Sequence, residues 1–365
     1  MLTVLRTRIG ACKNFLSVSR NSVRFVSSGA PSPDNEDPTE IIKAFGTYIP
    51  VLSENPLASG TSHIIRKSIP PHILRPPYAQ PGYNAKLPPP PQGDGLIPLG
   101  TAEESKIRRA GALAAMALRE AQSLVQPGIT SEAIDNKVHD FIISHGAYPS
   151  PLNYPSPEGS YPKSTCISVN NCIVHGIPDS RELEDGDILN IDITDSQGQY
   201  LAKLARRALY AGISVCRPGS HFRTIGRAIH DAVREAEEKS GDPYVVSPQF
   251  TGHGVGKEYH RPPWIVHTVN DEPGIMQPGH CFTIEPAIIQ GRDPSAWILP
   301  DGWTALSESY ARSAQVREIF NISHPKVFTL MSFLKAEHTI LITETGADIL
   351  TDRRTAEETF ARYKP

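Results

Sequence analysis

The chain has 365 residues, 39% of them hydrophobic, with 34 prolines and a formal net charge of -3. That length holds one large catalytic domain with extensions, and the charge leaves no electrostatic footprint for nucleic acid or an anionic membrane surface. The five cysteines (Cys12, Cys166, Cys172, Cys216 and Cys281) are odd in number and form no Cys-x-x-Cys pair, and no apolar run is long enough to span a bilayer; a disulfide framework, a zinc finger and a membrane-spanning helix are thereby excluded.

Residues 1–30 carry Arg6, Arg8, Lys13, Arg20 and Arg24, several serines and no acid, and Leu5, Ile9, Phe15, Leu16, Val23 and Val26 interleave with the basic residues. A basic amphipathic segment of this kind is read as a mitochondrial transit peptide, which predicts a matrix protein. A plain basic tail or a chloroplast leader are the alternatives. Residues 31–100 are proline-rich (SIPPHILRPPYAQPGY, KLPPPPQGDG), an extended linker and wrapping arm. The catalytic domain is expected over residues 101–365.

A helix is predicted from Thr101 as N-cap, with Glu104 three residues on, through Ile107, Leu113, Leu118 and Leu124 to a Pro127-Gly128 stop. This stop opens a repeat. Pro127, Gly128, Ile134, Val138, His139 and Asp140 correspond to Pro218, Gly219, Ile225, Ile229, His230 and Asp231 at one common offset, so two helix-stop-helix units build a pseudo-symmetric α+β domain with a site at the junction.

Strands are expected at STCISVN (164–170), DILNIDIT (187–194), CFTIEPAII (281–289) and AEHTILIT (336–343). Three of these carry an acid where a half-buried strand prefers an uncharged residue: Asp192, Glu285 and Glu337. A buried carboxylate needs a partner charge, several donors or a metal. The stretch FTGHGVGKEYHRPP sets His253 and His260 seven positions apart, and Gly254 and Gly256 argue against a helix and for close backbone approach. Asp192, Glu285, Glu337 and His253 make an oxygen-rich ligand set with one imidazole, suited to a pair of Mn, Fe, Co or Zn ions that activate water for hydrolysis. His175 and His260 are left to face the substrate.

YPKSTCISVNNCIVHGIPDS, GDILNIDIT, TGHGVGKEYHRPP, PGHCFTIEPAI, DGWTA and RSAQ, with AEHTILIT later, closely resemble in the same order the motifs of the type I methionine aminopeptidases, over about Leu99 to Leu350. The resemblance implies an α+β pita-bread fold, two pseudo-symmetric halves around a curved antiparallel sheet. It implies two divalent metal ions held by Asp192, His253, Glu285 and Glu337, with Glu285 also the general base. It places His175 and His260 on the substrate amide and amino end, and Tyr161, Cys166, Tyr259 and Trp303 around the methionine side chain. The implied partner is the N-terminus of a nascent polypeptide, acted on by a monomer with no nucleic-acid or membrane partner.

Two departures stand out. The family pattern has a second aspartate on the strand paired with that of Asp192, whereas here the chain passes from Gly198 and Tyr200 straight to Lys203 and a helix, so that bridging ligand is absent. Asp195 lies an odd step from Asp192 and faces the other side of an extended strand. Between Gln315 and Ala336 an apolar insert, Val316 to Lys335, interrupts what the family joins directly. Both are expected to be errors of the gene model, one exon skipped and one short intron read through. As written, the chain is expected to remove initiator methionine weakly or not at all. The alternatives are a catalytically impaired pita-bread protein that binds peptides or partners, and an X-Pro peptidase, against which the YPKS and DGWTA contexts speak.

Overall fold

The computed structural model describes residues 24–25, 51, 59–80, 83, 93–184, 187–189, 196–315 and 338–363. Among the described residues four long helices pack in two pairs: α1 (Ala102–Leu124) with α2 (Ser131–Ser144), and α3 (Ser196–Ser214) with α4 (Arg223–Ser240). A short helix, α5 (Ala356–Arg362), packs on α1. Thr101 caps α1 by accepting from the Glu103 N–H at 3.2 Å, while Glu104 reaches back to the Gly100 N–H at 2.6 Å. The capping box is thus present but shifted by one residue.

The repeat read from the sequence extends to individual hydrogen bonds. Gly128 N–H donates to Leu183 O and Leu183 N–H to Ile129 O, both at 2.8 Å; Gly219 N–H donates to Met276 O at 2.9 Å and Met276 N–H to Ser220 O at 2.8 Å. Single bridges Thr130 to Glu182 and His221 to Ile275 sit at the same positions in the two units. Gly128 and Gly219 have φ of 84° and 85°, a left-handed turn that glycine reaches without the penalty of a Cβ.

Among the described residues the strands fall into three sheets. One sheet runs β1 (Arg24–Phe25), β8 (Ala296–Ile298), β9 (Ala305–Ser307) and β2 (Cys172–Val174). A second runs β10 (Ser313–Gln315), β7 (Ala287–Gln290) and β3 (Tyr244–Val246). The third runs β12 (Ala347–Ile349), β11 (His338–Ile342), β6 (Cys281–Ile284), β4 (Gly252–Gly254) and β5 (Arg261–Ile265). Ladders other than that of β1 with β8 are antiparallel. Two cores match the two halves. Leu201, Leu209, Ile225 and Ile229 of α3 and α4 pack on Phe282, Ile284, Ile288 and Ile340. Ala117, Ala121, Ile134 and Val138 of α1 and α2 pack on Ile167, Val169, Leu183 and Leu189.

Three strand expectations change. CFTIEPAII divides into β6 and β7 in different sheets, because Pro286 has no N–H to give a ladder and the Glu285 N–H goes to a histidine ring. STCISVN is irregular: the Ser164 and Thr165 N–H groups and the Thr165 hydroxyl all donate to buried Asp135 Oδ1, at 2.7–3.0 Å, and the ladder strand begins only at Cys172. Of DILNIDIT, residues 187–189 are described, with one bridge from Leu189 to Val169. α3 begins at Ser196, so Gly198 lies inside a helix and the chain between it and Lys203 makes no returning strand. The insert Val316 to Lys335 and residues 1–23 lie outside the described residues.

The described part of the arm wraps the domain. Ile69 and Ile73 bury against Leu152, the Tyr78 hydroxyl donates to Ser150 O at 2.6 Å, and the Thr61 hydroxyl donates to Ser160 O at 2.7 Å. Among the described residues no helix is long and apolar enough to cross a membrane.

Candidate metal and substrate site

The segment that carries the two histidines is a hairpin: β4 pairs with β5, His253 opposite Trp264 and Gly254 opposite Arg261. Its glycines are there for contact. A Cβ on Gly252 would lie 2.2 Å from Thr283 O, and one on Gly254 would lie 2.1 Å from Pro262 O. The hairpin brings the rings of His253 and His260 to 4.2 Å between centroids.

Glu285 comes directly after β6 and is held on three sides. The Thr283 hydroxyl donates to Oε1 at 2.6 Å, the Gln315 amide donates to the Glu285 carbonyl at 3.0 Å, and the Glu285 N–H donates to His267 Nε2 at 3.1 Å. His267 Nδ1 donates to Phe250 O at 3.4 Å, so the ring is neutral. Burial, with a smaller contribution from His253, pushes its pKa down to about 4. Thr283 also accepts the His253 N–H at 2.9 Å, so one buried hydroxyl positions both residues.

His253 Nδ1 donates to Gly254 O at 3.1 Å, which puts the ring proton on Nδ1 and leaves the lone pair on Nε2. That nitrogen stands 3.7 Å from Glu285 Oε1. Two electron pairs facing each other across such a gap call for positive charge between them, and an imidazole nitrogen beside a carboxylate oxygen fits a divalent first-row cation. Among the described residues no group of three or more His, Cys, Asp and Glu side chains is gathered for a metal. Asp192 and Glu337, the other two expected ligands, and Asp195 lie outside the described residues.

His175 sits just past β2 at a left-handed φ of 58°, and its ring stands 6.3 Å from Phe250 and 6.1 Å from Trp303. His260 Nδ1 is 2.6 Å from the Tyr154 hydroxyl. Burial, then the neighbouring His253 and His175, holds the His260 pKa well below the usual histidine value. The Tyr161 hydroxyl sits 2.9 Å from Gly176 O and 3.0 Å from Thr165 O. The DGW turn has a local cause: the Asp301 carboxylate accepts from the Trp303 and Thr304 N–H groups at 2.6 and 2.8 Å. It presents the Trp303 indole, which donates to Gly159 O at 2.9 Å and meets the Tyr161 ring edge-on at 5.2 Å.

A cavity of about 250 Å³ gathers every candidate that is described: Tyr161, Cys166, His175, His253, Tyr259, His260, Glu285 and Trp303. Sequence reasoning does not mark Tyr154 and Gln249, which share that lining, or Thr283 and His267 behind it. Thr283 is within its reach, two residues before Glu285 and so on its face of the strand. Nothing local distinguishes Tyr154, Gln249 or His267.

The fold is a pita-bread arrangement of paired helices over antiparallel strands, with a histidine and a carboxylate facing each other in the cavity, and the chain belongs to metallopeptidase family M24, whose model matches residues 105–206 and 194–344. Within that family it is a methionine aminopeptidase of type I, an aminopeptidase hydrolase, as three comparisons show. It is 41% identical over 306 residues to methionine aminopeptidase 1B, chloroplastic, of Arabidopsis thaliana, covering 78% of this chain and 73% of that protein. It is 37% identical over 315 residues to methionine aminopeptidase 1D, mitochondrial, of Homo sapiens, covering 81% and 82%. The crystal structure of methionine aminopeptidase from Rickettsia prowazekii aligns with a TM-score of 0.59 at 30% identity, over 70% of this chain and all of that one.

Proposed function

We propose that this chain removes the initiator methionine from the N-termini of nascent polypeptides in the mitochondrial matrix, acting as a monomer, with residues 1–30 as the transit peptide. The observation that carries the reading is the convergence of His253, Glu285, His175 and His260 on one cavity walled by Tyr161, Tyr259 and Trp303. In this reading Asp192, His253, Glu285 and Glu337 hold two divalent ions (Co, Mn, Fe or Zn). Bound there, such ions would polarise the scissile carbonyl and make water acidic enough to attack near neutral pH.

The remaining chemistry belongs to the chain. Glu285, with Oε1 held by Thr283, takes the proton of the attacking water as general base. In this reading Tyr154, 2.6 Å from His260 Nδ1, donates to it and the ring proton is on Nε2, where a neutral imidazole donates to the oxygen that becomes negative in the tetrahedral intermediate. Burial, then His253 and His175, lower its pKa and so favour the neutral ring. His175 faces the scissile amide, and Tyr161, Cys166, Tyr259 and Trp303 enclose the methionine side chain. A peptide with methionine first and a small second residue is the expected substrate.

One observation favours a second reading, a protein that binds peptides with little turnover. The family model matches in two stretches that meet at residues 194–206, where the second aspartate of the pattern is missing. Metal content of the purified protein together with cleavage of a Met-Ala-Ser peptide separates the two. About two ions per chain with cleavage supports the peptidase; near-zero metal and no cleavage leaves the binding protein. Cleavage of X-Pro peptides in place of Met-Ala-Ser would overturn both. Transcript sequence across Gly198 and across Val316 to Lys335 tests whether both departures are errors of the gene model: an mRNA that matches the chain at both places refutes that account.

A further inference from the structure

Gln249 lies between β3 and β4 on the wall of the cavity. Its carboxamide is fixed at one end only. Buried Ser247 donates its hydroxyl to Gln249 Oε1 at 2.6 Å, since an amide oxygen can only accept, and the same Ser247 oxygen accepts the Gln249 backbone N–H at 3.4 Å. The amide nitrogen at the other end is out of contact with water and has no hydrogen-bond partner among the described residues. A buried amide group carries two protons and is rarely left without an acceptor. Its neighbour Phe250 is tied through the His267 ring to the backbone of Glu285, Phe250 O receiving Nδ1 and Glu285 N–H giving to Nε2. Gln249 is therefore anchored to the same frame as the candidate metal end.

We propose that Gln249 Nε2 donates to a main-chain carbonyl of the bound peptide on the far side of the scissile bond. The inference rests on the peptidase reading of this cavity and assigns a recognition contact within it. An atom that can only donate requires an unprotonated oxygen. The scissile carbonyl is claimed by the metal end and His260, and the methionine side chain offers only a weakly accepting sulfur. The downstream carbonyls remain, and every peptide carries them whatever its side chains. A contact to the main chain gives affinity without narrowing the sequence beyond methionine.

The test is a cycle of two proteins and two probes, read as equilibrium binding to the metal-loaded full chain. The first probe is a Met-Ala-Ser amide whose scissile carbonyl is reduced to methylene, so that it cannot be cleaved. The second also has the alanine carbonyl reduced. The wild type is expected to bind the first about tenfold more tightly than the second, and Gln249→Leu is expected to bind the first about tenfold more weakly and to lose the discrimination. Gln249→Glu, which keeps the shape and the Ser247 contact but cannot donate when ionised, is expected to behave like Gln249→Leu and guards against a folding defect in that variant. A variant that weakens both probes equally while keeping the discrimination would mark a merely structural role and overturn the proposal. So would variants that bind both probes as the wild type does, or a wild type that fails to distinguish or bind them. A wild type that distinguishes the probes but cleaves no Met-Ala-Ser refutes the peptidase reading alone.

Discussion

Replacing Thr283 by valine keeps the side-chain shape and removes one hydroxyl. That hydroxyl, 1% exposed, donates to Glu285 Oε1 at 2.6 Å and accepts the His253 N–H at 2.9 Å. The variant leaves a buried N–H without an acceptor, about 1 to 3 kcal/mol, and deletes a hydrogen bond to a charged group, about 1.5 to 3 kcal/mol. With both losses the destabilisation is expected at about 3 to 5 kcal/mol, which in a domain of this size lowers Tm by on the order of 10 °C. Because both partners are candidate ligands, metal affinity is expected to fall with it. Thermal melts of metal-free protein isolate the structural part, and melts with added Mn the rest. Thr283→Ser, which restores the hydroxyl, should recover most of the loss. A Thr283→Val protein melting within about 1 °C of the wild type without metal would refute the claim that this hydroxyl holds the two residues.

Gly254→Ala forces a Cβ to within 2.1 Å of the Pro262 carbonyl oxygen, so the hairpin has to open. A loss of about 1 to 3 kcal/mol is expected, whereas Gly346→Ala, with nothing within 4 Å, should be neutral; equal melting temperatures for the two variants would contradict this. Part of the pH dependence comes from His267, whose folded pKa of about 4 lies below its ordinary value of 6.5. The unfolded chain then binds the extra proton first, so the contribution is complete above pH 6.5 and is lost as pH falls towards 4. It amounts to roughly 3 kcal/mol over that window in metal-free protein. Denaturant unfolding at about pH 6.5 and about pH 4.5 should show a steeper fall for the wild type than for His267→Asn, and equal slopes would sink the assignment. Arg66→Ala removes donors to Ser160 O at 2.9 Å and to Thr61, loosening the loop whose Gly159 carbonyl holds the Trp303 indole. KM for a Met-Ala-Ser peptide is expected to rise several-fold with kcat little changed, and an unaltered KM would show that the arm does not reach the pocket.

What the amino-acid sequence determined by itself is what local rules encode. The Pro-Gly stops, the apolar spacing of α1 to α4 and the offset between the two units are short-range signals, and the structure reproduces them down to matching hydrogen bonds at Gly128 and Gly219. Glu285 was legible for a similar reason, since a carboxylate in an apolar strand needs compensation wherever it is found. The motifs carried the family, because their order along the chain is itself information.

Tertiary structure decided which donors and acceptors meet. STCISVN has the composition of a strand, yet its N–H groups go to Asp135, 29 and 30 residues away in sequence. CFTIEPAII reads as one strand and becomes two, because a histidine 18 residues upstream takes the Glu285 N–H just before Pro286 removes the next donor. His267, Tyr154 and Gln249 resemble ordinary packing residues in the sequence, since nothing in their immediate neighbours states what lies across from them. A hydrogen bond depends on distance and direction between groups remote in the chain, and those are set only once the hairpin and the two halves have closed around one cavity.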